Sequence, residues 1–262
     1  MNDVLSLKNK EIGVVGCYNT REKIYKNGLC KLQRNSFDIF VGKPTNNTHT
    51  GSCTSEECET YAKKHLKEKK EKILDLALNN DHWQYFVNLT FSDEELGGKY
   101  SHEKAIELLR KWINNQKHQN PTMSYLMVSE FHKSGRLHFH GIFANVSKWN
   151  LVPARYPKSN RLIKINGKQI FNLMNYKLGY TTVSEVESQE RVSNYISKYI
   201  NKELMNLKFK KAFWYSRDLE KPKLDYHYYD KQLSELYTEN VEYSDQLNRN
   251  DSTIELLNFR KL

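Results

Sequence analysis

The stretch Glu130-Phe-His-Lys-Ser-Gly-Arg-Leu-His-Phe-His-Gly141 does most to limit what this chain can become. Residues 128–131 and 137–143 read as two short strands around a polar, Gly-containing break, which makes a hairpin. His138 and His140 stand two apart, so both rings project from one face while Phe139 points the other way, into a core. Loop length decides where Glu130 falls. A two-residue loop at Ser134-Gly135 would pair it with Phe139, on the wrong face. A three-residue loop of Lys133-Ser134-Gly135 pairs it with His138, and Gly135 suits the left-handed position that such a loop needs. Glu130, His138 and His140 are therefore expected to converge. Two imidazoles and a carboxylate make an open site for one divalent cation. A lone His-x-His is commonly plain alternation on a half-buried strand; the Glu in register and a second constellation downstream argue for a site.

That second constellation is Glu190-Arg-Val-Ser-Asn-Tyr195-Ile-Ser-Lys198-Tyr199-Ile-Asn-Lys202-Glu-Leu204. Its period is helical. Val192, Ile196, Ile200 and Leu204 form an apolar stripe. Tyr195, Lys198, Tyr199 and Lys202 form a neighbouring one, within about a quarter of the circumference at ~3.6 residues per turn. Two hydroxyls and two ammoniums on one face suit a phosphodiester. A phenol is a poor nucleophile at its ordinary pKa of about 10. Adjacent Lys charge and a metal-polarised phosphate would favour its attack. The bland alternative has the Tyr rings packed at a core edge and the Lys side chains reaching water.

Elsewhere the chain supplies a scaffold. Residues 85–91, Tyr-Phe-Val-Asn-Leu-Thr-Phe, read as a central strand, with Val87, Leu89 and Phe91 on one face. Asn88 and Thr90 share the other face, which is expected to look into the site and to touch DNA. Ser101 caps a helix carrying Ala105, Ile106, Leu109, Trp112 and Ile113. A strand over 123–131 follows and leads into the hairpin. Strand, helix, strand, strand opens a ferredoxin-like split βαβ layout. The fold class is thus α+β: a ferredoxin-like or RRM-like antiparallel sheet with helices on one face. An earlier helix is expected from Ser55 to about Asn80, charged over 63–72. Residues 144–180 are a long insertion in which Arg155, Lys158 and Arg161 interleave with aromatic residues, the composition of a single-strand groove. Further short strands are expected over 180–186, 213–217 and 226–229. Three segments result: an N-terminal extension over 1–54, a catalytic domain over 55–230, and a polar tail or helix over 231–262.

The 262 residues carry a net charge of +10, which favours a polyanionic partner. Seventeen Tyr residues add stacking platforms for unpaired bases. No apolar run approaches membrane-spanning length and the N-terminus lacks a signal layout, so a soluble intracellular protein without a membrane partner is expected. Cys17 and Cys30 read as reduced thiols; Cys53-x4-Cys58 leaves a weak zinc option.

Three blocks, in order, resemble rolling-circle replication initiators of the HUH endonuclease superfamily: Phe86-Val-Asn-Leu-Thr-Phe91, Glu130…His138-Phe-His140, and Tyr195-Ile-Ser-Lys198-Tyr199-Ile-Asn-Lys202. The Tyr-x-x-Lys-Tyr form is similar to initiators of small phages and of prophage or plasmid elements. The resemblance implies that Mn²⁺ or Mg²⁺ is held by Glu130, His138 and His140, and that Tyr195 nicks single-stranded DNA or an origin hairpin. A 5′-phosphotyrosine link and a later joining step follow. Lys198 would steer phosphate, and Tyr199 would act as a second nucleophile or bind DNA; the sequence leaves both roles for Tyr199 open. Arg155, Arg161, Lys202, Asn88 and Thr90 would bind DNA. Partners would include a host polymerase and helicase in the bacterial cytoplasm, since no phosphate loop of a fused helicase is present. A mobilisation relaxase, a single-strand transposase or a non-catalytic repressor are the alternatives.

Overall fold

The structure is a computed structural model, and it describes residues 17–40, 55–80, 82–97, 101–131, 135–199, 213–249 and 252–261. In chain order its elements begin with β1 (Cys17–Ile24), β2 (Leu29–Phe40), α1 (Ser55–Asn79), β3 (Tyr85–Phe91), α2 (His102–Gln119), β4 (Ser124–Phe131) and β5 (Leu137–Ala144). They continue with β6 (Leu151–Pro153), β7 (Lys164–Ile165), β8 (Lys168–Gln169), β9 (Phe171–Leu173), β10 (Gly179–Glu185) and α3 (Gln189–Ser197). The last are β11 (Phe213–Tyr215), β12 (Lys223–His227), a single helical turn at Leu233–Leu236, β13 (Val241–Arg249) and β14 (Ser252–Arg260). The fold is mixed α+β with two large antiparallel sheets.

Two compact units emerge: residues 53–220, and residues 1–52 together with 221–262. In the first, seven strands run in the order β11-β4-β5-β3-β10-β9-β6. Every strand pair of that sheet is antiparallel. The expected strand-helix-strand-strand run is present as β3-α2-β4-β5, with β3 at the centre. Alternation assigns the faces. Val87, Leu89, Phe139 and Phe143 are buried on one face, and α2 covers it, with the Trp112 ring 6.0 Å from Phe143 and edge-on to it. Ser101 caps α2 as expected, its hydroxyl accepting from Lys104 N.

The expectation of helices on one face is corrected. α3 lies on the opposite face, where the Tyr199 ring stacks on His140 at 3.6 Å. α1 packs against α3, and its Lys72 ammonium sits 5.5 Å and 5.0 Å from the Phe213 and Tyr215 rings of β11. The reason is visible in the strands. Leu126, Val128 and Ile142 make the site face as apolar as the other over half its width, so a one-sided layer would leave them in water. The connection from β5 to β10 holds short strands and no helix, so residues 145–178 depart from a regular split βαβ unit.

The second unit replaces the expected N-terminal extension and C-terminal tail by one sheet, ordered β12-β1-β2-β14-β13. β14 pairs with β2 over seven residue pairs, Ile254↔Asn35 to Arg260↔Leu29. The tail expected as a helix or a disordered segment is therefore mostly a β-hairpin. Cys30, Leu32, Leu233, Leu257 and Phe259 form its core. Beside them Glu22, only 5% exposed, accepts from His227 Nε2 at 2.8 Å and from Lys261 Nζ at 2.9 Å. Cys17 and Cys30 are free thiols. Cys53 and the Cys58 side chain lie outside the described residues.

Candidate active site

The hairpin has the register that a three-residue loop requires: Glu130 pairs with His138, Val128 with His140 and Phe131 with Leu137. Residues 132–134 lie outside the described set. Gly135 takes φ +79°, the left-handed conformation for which the sequence supplies glycine. The hairpin end is anchored by the Arg136–Asp93 ion pair at 2.6 Å and by His102 Nε2, 3.1 Å from Gly135 O.

Glu130, His138 and His140 thus share one sheet face. Glu130 Oε2 lies 2.8 Å from His140 Nε2. His140 is 8% exposed, and burial, with the charge of His138 adding to it, lowers its pKa to about 3. A neutral imidazole carries one N–H. Asn88 fixes where that proton is. Its Nδ2 donates to Thr182 Oγ1 at 2.8 Å, which turns its Oδ1 to accept from His140 Nδ1. Nδ1 is then the protonated nitrogen, and the Nε2 lone pair confronts a carboxylate oxygen. Two lone pairs at that distance repel unless a proton or a cation lies between them. Thr90 Oγ1 sits 3.3 Å from His138 Nδ1 in the same manner. Among the described residues no group of three His, Cys, Asp or Glu side chains is arranged to hold a metal ion as it stands. The donors nevertheless suit a divalent cation: a carboxylate and two imidazoles, one imidazole having its second nitrogen committed to a carbonyl, as in protein metal sites generally.

α3 brings the phenols to this face. Ser188 caps it, accepting from Arg191 N at 3.2 Å, and Val192 and Ile196 bury its apolar stripe. The helix ends at Ser197, with Lys198 as its C-cap. Tyr195 and Tyr199, one turn apart, meet edge to face with centroids 5.2 Å apart. Tyr199 stacks on His140; burial, the Tyr195 hydroxyl and Glu130 all push its pKa up. Tyr195 is 47% exposed and stands edge-on to Phe86 at 5.2 Å. Of the two phenols, Tyr195 is the accessible one.

The remaining expected residues are placed as follows. Lys198 is exposed beside the two phenols in sequence. Lys202, Ile200 and Leu204 lie outside the described residues. Arg155 donates to Asn160 O at 2.8 Å within its own loop, and Arg161 is exposed on that loop. Asn88 and Thr90, read as DNA contacts, point to the imidazoles instead. Sequence reasoning did not single out Tyr180, Thr182 and Ser184 of β10. They share the site face because Tyr180 pairs with Thr90 and Thr182 with Asn88. Their alternation was a readable signal, but the pairing of β10 with β3 spans some ninety residues.

Residues 84–204 match the model of a family of replication-associated proteins, described by its ORF2 members. That stretch runs from the start of β3 to just beyond α3, so it contains every candidate site residue above, in a little under half of the chain. The likeness is to a family of replication proteins and supports a replication-initiator role for this chain. No curated protein and no solved structure matches the chain. Among the described residues no helix is long and apolar enough to cross a membrane.

Proposed function

We propose that the chain is a rolling-circle replication initiator of the HUH type, which nicks and rejoins single-stranded DNA through Tyr195. The observation that carries this reading is the meeting, on one sheet face, of Glu130, His138 and His140 with two phenols from α3. Glu130, His138 and His140 would hold one divalent cation, Mn²⁺ or Mg²⁺, between the carboxylate and the imidazole nitrogens it confronts. Such an ion polarises a phosphate and neutralises its growing charge. The chain's own groups do the rest. Asn88 holds His140 with Nε2 toward Glu130, and Tyr199 fixes the ring from its flat side. Tyr195, exposed beside Phe86, attacks phosphorus with its hydroxyl oxygen. The new O–P bond replaces the P–O3′ bond, and the proton lost by the phenol is balanced by the one gained at the 3′-oxygen. The products are a 3′-hydroxyl and a 5′-phosphotyrosine. Attack by a second 3′-hydroxyl reverses the step and joins strands. Lys198 is placed to steer the phosphate.

Tyr199 is the weaker nucleophile in this arrangement, since its phenolate is disfavoured by burial and by Glu130. A relaxase or a transposase would share this chemistry; the family match over residues 84–204 favours replication. Incubation of the full chain with single-stranded DNA and Mn²⁺ is expected to yield a protein–DNA adduct stable to denaturation. EDTA should abolish it, and Tyr195→Phe should lose it while keeping DNA affinity. An adduct that forms equally well in EDTA, or with Tyr195→Phe, would refute the reading.

A further inference from the structure

Next to Tyr195 lies a groove of about 440 Å³. One wall is the β7–β8 hairpin, whose Asn166-Gly167 turn has both residues at positive φ, 50° and 80°, as a two-residue type I′ connection requires. The floor is β10, and the far side is the start of α3. Phe86, Ile165 and Ile170 supply apolar surface. Thr182 and Ser184 supply hydroxyls, while Lys168 and Arg191 stand at the rim.

We propose that this groove seats one unstacked DNA base beside the nucleophile and selects which base flanks the cleaved phosphate. The inference rests on the nicking reading for the identity of the ligand, and on the groove's own features for its place. Size comes first. Sites for small molecules run from about 300 to 1,000 Å³, so this groove takes one nucleotide-sized group and excludes a duplex. Composition comes next. Flat apolar surface with a few hydroxyls is what a base needs, its faces stacking and its edge bonding. Ile165 is apolar yet 56% exposed at the hairpin tip, which suits a clamp better than a core. Charge fits as well. Arg191 is exposed, and Lys168 holds Glu187 at 2.5 Å, which removes one carboxylate from the phosphate path. Glu185 leaves the β10 end of the rim unsuited to phosphate, so the backbone is directed along the α3 side, past Tyr195.

The location gives the groove its consequence. Thr182 accepts from Asn88 Nδ2, and Asn88 accepts from His140. A base resting on Thr182 is therefore two hydrogen bonds from the imidazole. Enzymes that act on nucleic acid commonly read a base taken out of the stack, and here the pocket and the phenol share a wall.

The test has two arms on the full chain. In the first, a randomised single-stranded oligodeoxynucleotide pool carrying 5-iodouracil is photocrosslinked in EDTA, and adducts are assigned by peptide mass spectrometry. Adducts on Phe86, Tyr195 or residues 165–170 are expected, reduced tenfold or more by Ser184→Trp, which fills the groove. In the second arm the same pool without iodouracil is incubated with Mn²⁺, and trapped strands are sequenced. The wild type should enrich one base within a nucleotide of the linked phosphate, and Ser184→Ala should flatten that position alone. Crosslinks confined to other surfaces, or unmoved by Ser184→Trp, would overturn the proposal. So would a base preference that Ser184→Ala leaves intact. Groove crosslinks without trapped strands would sink the nicking reading and leave the base site standing; trapped strands without groove crosslinks would do the reverse.

Discussion

Asn88 illustrates how the site is built residue by residue. On a strand it is one polar position in an alternating run, and the sequence assigns it to DNA. In the structure its two amide ends are committed, one to Thr182 and one to His140. Groups that orient a metal-binding imidazole typically matter about 10- to 100-fold in ion affinity. Asn88→Ala is expected to weaken Mn²⁺ binding by that factor, read by electron paramagnetic resonance of free Mn²⁺ in the absence of DNA. Unchanged affinity would show that the amide has no such role. At Tyr199 the ring and the hydroxyl can be separated. Tyr199→Phe keeps the stack on His140 and should retain most adduct formation, whereas Tyr199→Ala should lose ion affinity with it. The relation of Tyr195 to Tyr199 was legible because one helical turn dictates it. The stack of Tyr199 on His140 was not, since it joins residues that only the folded sheet brings together.

At the level of elements, local signals were read well where one face is buried and the other is not. α1 starts at Ser55, and β3 covers residues 85–91, both as the pattern requires. The hairpin register followed from the loop alone. Ser101→Ala should cost about 0.5–2 kcal/mol by loss of the α2 cap, measurable by urea unfolding of the full chain; an effect near zero would mean that the cap hydrogen bond is redundant. The β1–β2 hairpin was missed, although Asn27-Gly28 between two runs of strand formers is among the strongest turn signals. Basic residues in β1 and β2 masked the alternation: Lys23 is buried with its strand despite its charge. β13 was missed for a different reason. It is an edge strand exposed along most of its length, so its sequence shows no apolar period, and only pairing with β14 defines it.

For the molecule as a whole, joining the first and last segments into one sheet makes the stability of that unit depend on residues from both ends. Burial alone would raise the Glu22 carboxyl, but hydrogen bonds from His227 and Lys261 more than offset this and hold its pKa at about 2 instead of 4.5. A depressed carboxyl contributes stability that is fully present above its unfolded pKa and is lost as pH falls through the folded one. The contribution is on the order of 3 kcal/mol, and its window is pH 4.5 down to 2. Glu22→Gln should thus be clearly less stable than wild type at about pH 7, with the gap narrowing below pH 4.5; a gap of constant size in urea unfolding at both pH values would contradict the pairing. The net charge of +10 has its own consequence. Affinity for single-stranded DNA should fall steeply and log-linearly with salt, since each neutralised phosphate releases counterion, and a flat response by fluorescence anisotropy would argue against a backbone-binding surface.

One measurement bears on the convergence of hairpin and helix more directly than any other. The adduct formed with single-stranded DNA and Mn²⁺ is digested with protease and nuclease, and the nucleotide-bearing residue is assigned by tandem mass spectrometry. A 5′-linked nucleotide on Tyr195, absent when His140 is replaced by Ala, is the expected result. A nucleotide carried by a residue away from the 195–199 turn, or by Tyr195 whether or not the imidazole is present, would contradict it.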